Sequence, residues 1–551
     1  MKFKSFLFAL TLLLPFAAQA QLSSAPENWQ HLDKMQDGVM GVSADKMYSE
    51  LLKGKKSVPV VVAVLDGGVD PLHEDLKDVM WRNPCEIPGN GIDDDGNGYV
   101  DDVYGWNFIG GKNGENVHHD HLEITRLYIE YDKKYKNADR SKLSKKERKE
   151  YDQYMEFGKT IKEKREEAAA SASLYGNLMD AINSVINAIG KEDITEDDLK
   201  GFESADPNVS RSAQIMRSML SQGGDIKDLK EQLQEAVNYF KGQSEYHYNP
   251  EFRVRHIVGD NYADSYERHY GNNDVKGPDA SHGTHVAGII GAKRHNDIGM
   301  DGIADNVRIM AVRCVPDGDE RDKDVANAII YAVDNGATVI NMSFGKGYSW
   351  DKKAVDKAVK YALKRDVLLV HAAGNSKQNN DESDNFPNTK FEKRGLFGPK
   401  KASNWIEVGA LSWQDGEDMV ATFSNYGKQN VDLFAPGVDI YSTYPDDEYK
   451  ANSGTSMASP VVAGVAAVIR SYYPELTAAQ VRDVILGNTV MTKNAKVKLP
   501  GGNGKLVPFT DLCVTGGTVN AYQAVKAASQ VKGKKKVSDK SGTAKSNKNK
   551  P

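Results

Sequence analysis

The 551-residue chain predicts an α/β fold: a mostly parallel sheet with helices on both faces, interrupted by a large α-helical insertion. Three observations predict it. Short, continuous apolar runs alternate with helix-length stretches, the pattern of buried parallel strands joined by crossover helices. The runs at 58–65, 307–315, 337–343, 367–372 and 405–411 read as strands, and those at 282–292, 323–335, 351–364 and 456–471 as helices. Several of these runs end in glycine and a polar side chain, which places chemistry at the carboxyl edge of the sheet. Finally, 216 positions separate Asp66 from His282, far more than one strand and one crossover require, so residues 119–275 form an insertion.

The first strand, within VAVLDGGVD, runs from Val60 to Leu65 and ends at Asp66. In SHGTHVAGII, His282 opens an apolar helix. In SGTSMASPVVAG, Gly454, Thr455 and Ser456 precede a run rich in Ala and Val, with Pro460 tolerated in the first helical turn. Singly, each has a plain reading: a turn aspartate before Gly67 and Gly68, a structural histidine, an N-cap serine. Jointly they supply what nucleophilic catalysis by serine needs, since a hydroxyl at its own pKa requires a base and the base requires an orienting group. A fourth run, VLLVHAAGN, ends at Gly374 and Asn375, where the amide either caps a turn or faces the same edge.

These motifs, in the order Asp, His, Ser, resemble the subtilisin-like serine proteases (the subtilase family) over residues 57–100 and 275–530. The resemblance implies a serine endopeptidase in which Ser456 attacks, His282 carries the proton and Asp66 orients His282. It makes Asn375 and the Ser456 N–H the oxyanion donors. It also implies that Ser343, Phe344 and Gly345 of VINMSFGKG pair with an extended protein or peptide substrate, with Gly318 on the other side of the groove. Gly318 lies in the acidic stretch Pro316–Asp322, which either favours basic substrate side chains or is a solvated loop. Val461 stands where many members have a histidine, inside the helix and away from the base. About forty residues lie between the leader and β-strand run at Asp66, too few for a separate folded pro-domain. Instead Trp29, Val42, Met47, Leu51 and Leu52 read as a partly helical segment on the catalytic body. Two other readings stand: a catalytically silent peptide-binding protein, and a processing protease of narrow specificity.

The stretch CEIPGNGIDDDGNGYVDDVYGWNF spaces Asp93, Asp95 and Asn97 at alternate positions, followed by the Tyr99 carbonyl, Asp101 and Asp102. That is the oxygen spacing of calcium loops, without the twelfth-position Glu of an EF-hand, since Tyr104 is there. Structural calcium is the cofactor expected, and a solvated Asx-rich turn the alternative.

Lys2 and Lys4 precede the apolar run Phe6–Ala18, and Ala18-Gln19-Ala20 fits a cleavage site, so residues 1–20 read as a signal peptide and the protein as exported, to periplasm, cell surface or medium. Residues 21–118 and 276–530 then form the catalytic domain. Cys85, Cys314 and Cys513 allow at most one internal disulfide. Within the insertion, Leu174, Leu178, Ile182, Val185, Ile186 and Ile189, then Ile226, Leu229, Leu233, Val237 and Phe240, recur at helical spacing, giving two or three helices after a charged stretch 145–167. Ending just before His282, the insertion is expected to border the groove and restrict access, so that trimming it alters hydrolysis of folded proteins relative to short peptides. The segment 516–525 reads as a closing helix, and 531–551 as a disordered Lys-rich tail. With eight Lys and one Asp in the tail and two Lys in the leader, the overall −6 becomes about −15 for the remainder, which argues against general nucleic-acid binding. No segment after the leader is long and apolar enough to span a membrane.

Overall fold

A computed structural model describes residues 24–221, 223, 225–392, 398–491 and 495–535; the leader at 1–20 and most of the tail at 531–551 lie outside them. In chain order the strands are β1 (Val60–Asp66), β2 (Gly105–Asn107), β3 (Val307–Arg313), β4 (Val339–Met342), β5 (Leu368–Ala372), β6 (Trp405–Leu411) and β7 (Leu433–Pro436). They continue with the hairpin β8 (Ile440–Tyr444) and β9 (Glu448–Asn452), β10 (Val490–Met491), the hairpin β11 (Lys496–Lys498) and β12 (Leu506–Pro508), and β13 (Gly517–Thr518). One sheet has the order β10-β13-β7-β6-β5-β4-β1-β3-β2 and is parallel except at β10 against β13.

The helices are α1 (Lys34–Asp37), α2 (Ala44–Lys46), α3 (Glu123–Tyr135), α4 (Lys145–Ile189), α5 (Pro207–Leu220), α6 (Ile226–Gly242), α7 (Ser281–Gly291), α8 (Asp322–Asp334), α9 (Lys352–Lys364), α10 (Thr455–Tyr472), α11 (Ala478–Gly487) and α12 (Ala521–Ala528). None of the described helices is long and apolar enough to cross a membrane. Alternate residues of β1 serve two cores: Val60, Val62 and Val64 pack with α7 and α10, and Ala63 and Leu65 with α8 and α9. Each such side chain contributes on the order of 1.5–3 kcal/mol when fully buried. Because both faces are apolar, alternation alone does not set the register. The polar strand ends do: Asp66 pairs with Arg313, and Leu65 lies opposite Met342, the residue before Ser343. Met342 in turn lies opposite His371, so Asp66, Ser343 and Asn375 emerge at one edge.

The N-terminal segment lies on this body as its apolar pattern predicts. Trp29, Val42 and Met47 are fully buried, the Trp29 indole donates to the Val438 carbonyl at 3.0 Å, and the Asp33 carboxylate caps α1. All three cysteines are free thiols, Cys85 exposed and the other two buried.

In the insertion the two apolar stripes fall on α4 and α6, with α5 between them, which agrees with the expectation of two or three helices. Among the described residues it adds α3 before them, and the charged stretch 145–167, expected apart from the helices, is continuous with the apolar stretch 174–189 in one 45-residue helix, α4, closed at its start by a Ser144–Glu147 capping box and at its end by Gly190. The charged half carries its own buried stripe, Tyr154, Phe157 and Ile161, which packs against α3. The other half buries Ile182 and Val185 against Met216 of α5 and Leu233 of α6, while Leu174 of the expected stripe is 66% exposed. The segment 516–525 also differs: Gly517–Thr518 joins the sheet as β13 and the helix begins only at Ala521.

Candidate active site

Asp66 ends β1, and its Oδ1 accepts from the Gly67 N–H at 2.7 Å. The chain then turns sharply: Gly68 has φ 151°, and a Cβ there would meet the Lys276 carbonyl oxygen at 2.1 Å. Arg313, which the sequence reading passed over, fixes this turn from the neighbouring strand, its Nε donating to the Gly67 carbonyl at 2.7 Å. Burial lowers the Arg313 pKa to about 10.

His282, in the first turn of α7, places Nδ1 at 2.8 and 3.0 Å from the two Asp66 oxygens. The Asp66 side chain is 4% exposed and that of His282 is 43% exposed. With Nδ1–H donated to Asp66, Nε2 is left as the acceptor. Desolvation opposes a charged ring here, but the Asp66 charge and hydrogen bond, with help from Asp279, outweigh it and raise the His282 pKa above 6.5.

Ser456 lies in the first turn of α10, where a backbone N–H has no intrahelical acceptor. Its hydroxyl donates to the Ser343 carbonyl at 3.0 Å rather than to the imidazole. Below it a polar chain fixes the helix start: Ser459 Oγ donates to Asn341 Oδ1 at 2.7 Å, Asn341 Nδ2 to Ser343 Oγ at 2.9 Å, and Ser343 Oγ to the Ser456 carbonyl at 2.8 Å. The Ser343 side chain thus clamps the start of α10 at Ser456, a role beyond the groove position expected for it. Asn375 Oδ1 accepts from both Thr455 N and Thr455 Oγ1 at 2.9 Å. That fixes the amide, and Nδ2 remains as a donor on the Ser456 side. Asn425 holds the loop behind it, accepting from Ser376 N and Gln378 N at 2.9 Å. Thr455 and Asn425 were not legible as site residues: each acts on a segment far from it in the chain.

Two adjoining cavities run along this edge. One, of about 730 Å³, is lined by Asp66 and His282; the other, of about 430 Å³, by Ser456, Asn375, Phe344, Gly345 and Gly318. Ser343 and Val315 belong to both. The far wall of the larger cavity comes from Tyr239 and Lys241 at the end of α6 and from Tyr246 just beyond it, so the insertion does border this cavity.

The acidic stretch 316–322 is neither a solvated loop nor an open acidic patch. It pairs with residues 118–121: Asp120 N donates to the Asp317 carbonyl and Asp317 N to the His118 carbonyl, both at 2.8 Å. The Asp317 carboxylate meets His119 at 2.6 Å and His247 at 3.2 Å, and despite partial burial these bonds hold it well below the usual carboxylate range. Arg321 binds Asp120 at 2.6 Å, and Lys346 binds Asp322 at 2.9 Å and Glu123 at 3.0 Å. The partners come from the insertion and from β4's continuation, which no local pattern reveals.

The Asx-rich loop is rearranged relative to the expected ligand set. Asp93 accepts from the Asn97 and Gly98 N–H groups at 3.0 and 2.8 Å, and Asp101 from Gly89 and Gly91 at 2.8 Å, so both brace the loop. Asn97 spends its amide on Asp95, Asp102 and Tyr99 N, and the Tyr99 ring is buried against Trp106 and Tyr331. The carboxylates gathered within 4.8 Å are instead Glu86, Asp95 and Asp102. Glu86 Oε2 is buried without a hydrogen-bond partner, and burial raises the Glu86 pKa and lifts that of Asp102 to about 7. An uncompensated oxygen within an oxygen-only donor set fits a hard divalent cation.

The subtilase family model matches residues 58–506 of this chain. A thermophilic serine proteinase of Bacillus sp. (strain AK1) is 45% identical over 192 residues, 35% of this chain and 43% of that protein. Subtilisin DY of Bacillus licheniformis is 42% identical over 205 residues, 37% of this chain and 68% of its own length. Thermitase of Thermoactinomyces vulgaris is 37% identical over 245 residues, 44% of this chain and 74% of thermitase. The chain thus spans less than half the length of the AK1 proteinase. Among solved structures, a cold adapted subtilisin-like serine proteinase shares 33% identity over 42% of this chain and 76% of its own, with a TM-score of 0.34. With the match running over most of its length, this chain belongs to the subtilase family.

Proposed function

We propose that the protein is an exported serine endopeptidase that cleaves peptide bonds through an acyl-enzyme. The observation that carries this reading is the Asp66–His282 pair at 2.8 Å, with His282 Nε2 left as acceptor on the edge where Ser456 begins its helix. Ser456 Oγ turns from the Ser343 carbonyl to His282 and attacks the substrate carbonyl carbon, and its proton passes to Nε2. His282 then delivers that proton to the leaving amine, and water hydrolyses the resulting ester with His282 again as base. The charge on the carbonyl oxygen meets the Ser456 N–H and Asn375 Nδ2. Asn375→Ala is expected to lower kcat about 10²- to 10³-fold with a smaller change in KM, a size carried over from subtilisin. Steady-state hydrolysis of one fluorogenic peptide checks it, and an unchanged kcat removes Asn375 from the oxyanion role.

We also propose that Glu86, Asp95 and Asp102 hold a structural calcium ion, which when bound supplies charge compensation and no chemistry. Binding to the folded state alone stabilises it by about 2.7 kcal/mol at a hundredfold excess over Kd. The Tm is therefore expected to rise by about 2–3 °C from chelator to calcium, and Glu86→Gln to abolish most of that difference. Equal melting of the wild type in calcium and in chelator contradicts the site.

A further inference from the structure

We propose that the cavity beside Ser456 takes a positively charged substrate side chain, arginine or lysine, drawn by Asp384 at its rim and by the unpartnered carboxyl of Glu320 in its wall. This rests on the endopeptidase reading above. The cavity is unlike an apolar side-chain pocket: Phe344, Val315 and Ala372 are its apolar lining, and the rest is glycine or polar, including Gln378, Asn385 and Asn425. Its charged lining groups are Lys346, Glu320 and Asp384. Lys346 is already neutralised, buried between Asp322 and Glu123 and donating to the Glu320 carbonyl at 2.6 Å. Glu320 and Asp384, by contrast, hold no ion pair among the described residues.

The charge balance behind the wall points the same way. Arg126, Arg321 and Lys346 are the cations of this cluster, and they face the five carboxyl groups of Asp120, Glu123, Asp319, Glu320 and Asp322. Two carboxyl oxygens in it, Glu123 Oε1 and Glu320 Oε1, are buried without any hydrogen-bond partner. Burial pushes the Asp319 carboxyl above its usual range and the Glu320 carboxyl up to about 8, so that Glu320 is held largely protonated until a neighbouring cation favours its charged form. A metal ion fits this place poorly: among the described residues, three or more carboxylates within 4.8 Å of one another occur at Glu86, Asp95 and Asp102 and not in this cluster. A guanidinium or ammonium on a flexible stem needs no such convergence, reaching Asp384 at the rim while its charge favours the ionised form of Glu320 in the wall. An acidic side chain would meet both without compensation.

The test compares peptides identical except for arginine or citrulline, its uncharged isostere, at the residue supplying the carbonyl that is cut and, in a second pair, at the position before it. Wild-type protein is expected to favour arginine about tenfold or more in kcat/KM in one of the pairs. Asp384→Asn, at an exposed position, is expected to reduce that ratio about fivefold. A ratio near one in both pairs, or one that Asp384→Asn leaves unchanged, overturns the proposal. Labelling of Ser456 by a fluorophosphonate is measured in parallel on both proteins: labelling with a ratio near one removes the subsite alone, whereas absence of labelling removes the endopeptidase reading on which it rests.

Discussion

Ser456→Ala is expected to lower peptide hydrolysis about 10⁶-fold while leaving the fold intact, a size carried over from the subtilisin triad. The substitution removes the hydroxyl proposed above as the nucleophile. The structural loss is small, because the hydroxyl makes one hydrogen bond, to the Ser343 carbonyl. A bond of that kind is worth about 0.5–1.5 kcal/mol. The start of α10 keeps its other ties, the Ser343 hydroxyl on the Ser456 carbonyl and Asn375 on Thr455. Turnover of a fluorogenic peptide and thermal melting by circular dichroism check the two halves together. Activity that survives in a folded variant removes Ser456 from the nucleophile's role; a silent peptide-binding protein predicts no turnover in the wild type either.

Asp66→Asn is expected to cost about 10⁴-fold and to move the pH profile. The carboxylate holds His282 by Nδ1 and is the chief reason the ring's pKa lies above 6.5 despite the desolvation that would lower it. Catalysis needs the neutral ring. Activity should therefore rise with pH through the raised value and be lost below it. The stability linked to the ion pair runs the other way: it is fully present below about pH 6.5 and declines as pH rises through the folded value. In Asp66→Asn, desolvation is left with little opposition, and the acid limb of the remaining kcat/KM should shift to below pH 6.5. A limb at the same pH in both proteins means that another group governs it. The shift distinguishes an electrostatic role for Asp66 from a purely structural one, which would lower activity at all pH values alike.

What was legible in the chain was what repeats locally. β1, β3, β4, β5 and β6 are long apolar runs, and their observed bounds fall within two residues of those expected, as do those of α7 to α10. The site positions Asp66, His282, Ser456 and Asn375 could be singled out because each ends or begins such a run. β2 and β13, of three and two residues, are too short to carry a period. In α4 the lysines and glutamates of 145–167 outnumber and hide the stripe Tyr154, Phe157, Ile161. The acidic stretch 316–322 misled because its partners His119, Asp120 and Glu123 lie almost 200 positions away, and whether a carboxylate is free or paired is a tertiary property. The Asx-rich loop shows the same limit. Its alternating Asp93, Asp95 and Asn97 drew attention to the turn, but Glu86 lies outside that spacing and comes near Asp95 and Asp102 only because the loop folds back on itself.

The account stands on an assembled Asp66, His282 and Ser456, and labelling by a fluorophosphonate probe reads that assembly without a guess about substrate. Purified mature protein, with and without calcium, should be labelled at a single site, with labelling abolished in Ser456→Ala and strongly slowed in Asp66→Asn. A folded wild-type protein that takes up no label in either condition, or labelling that persists in Ser456→Ala, would contradict it.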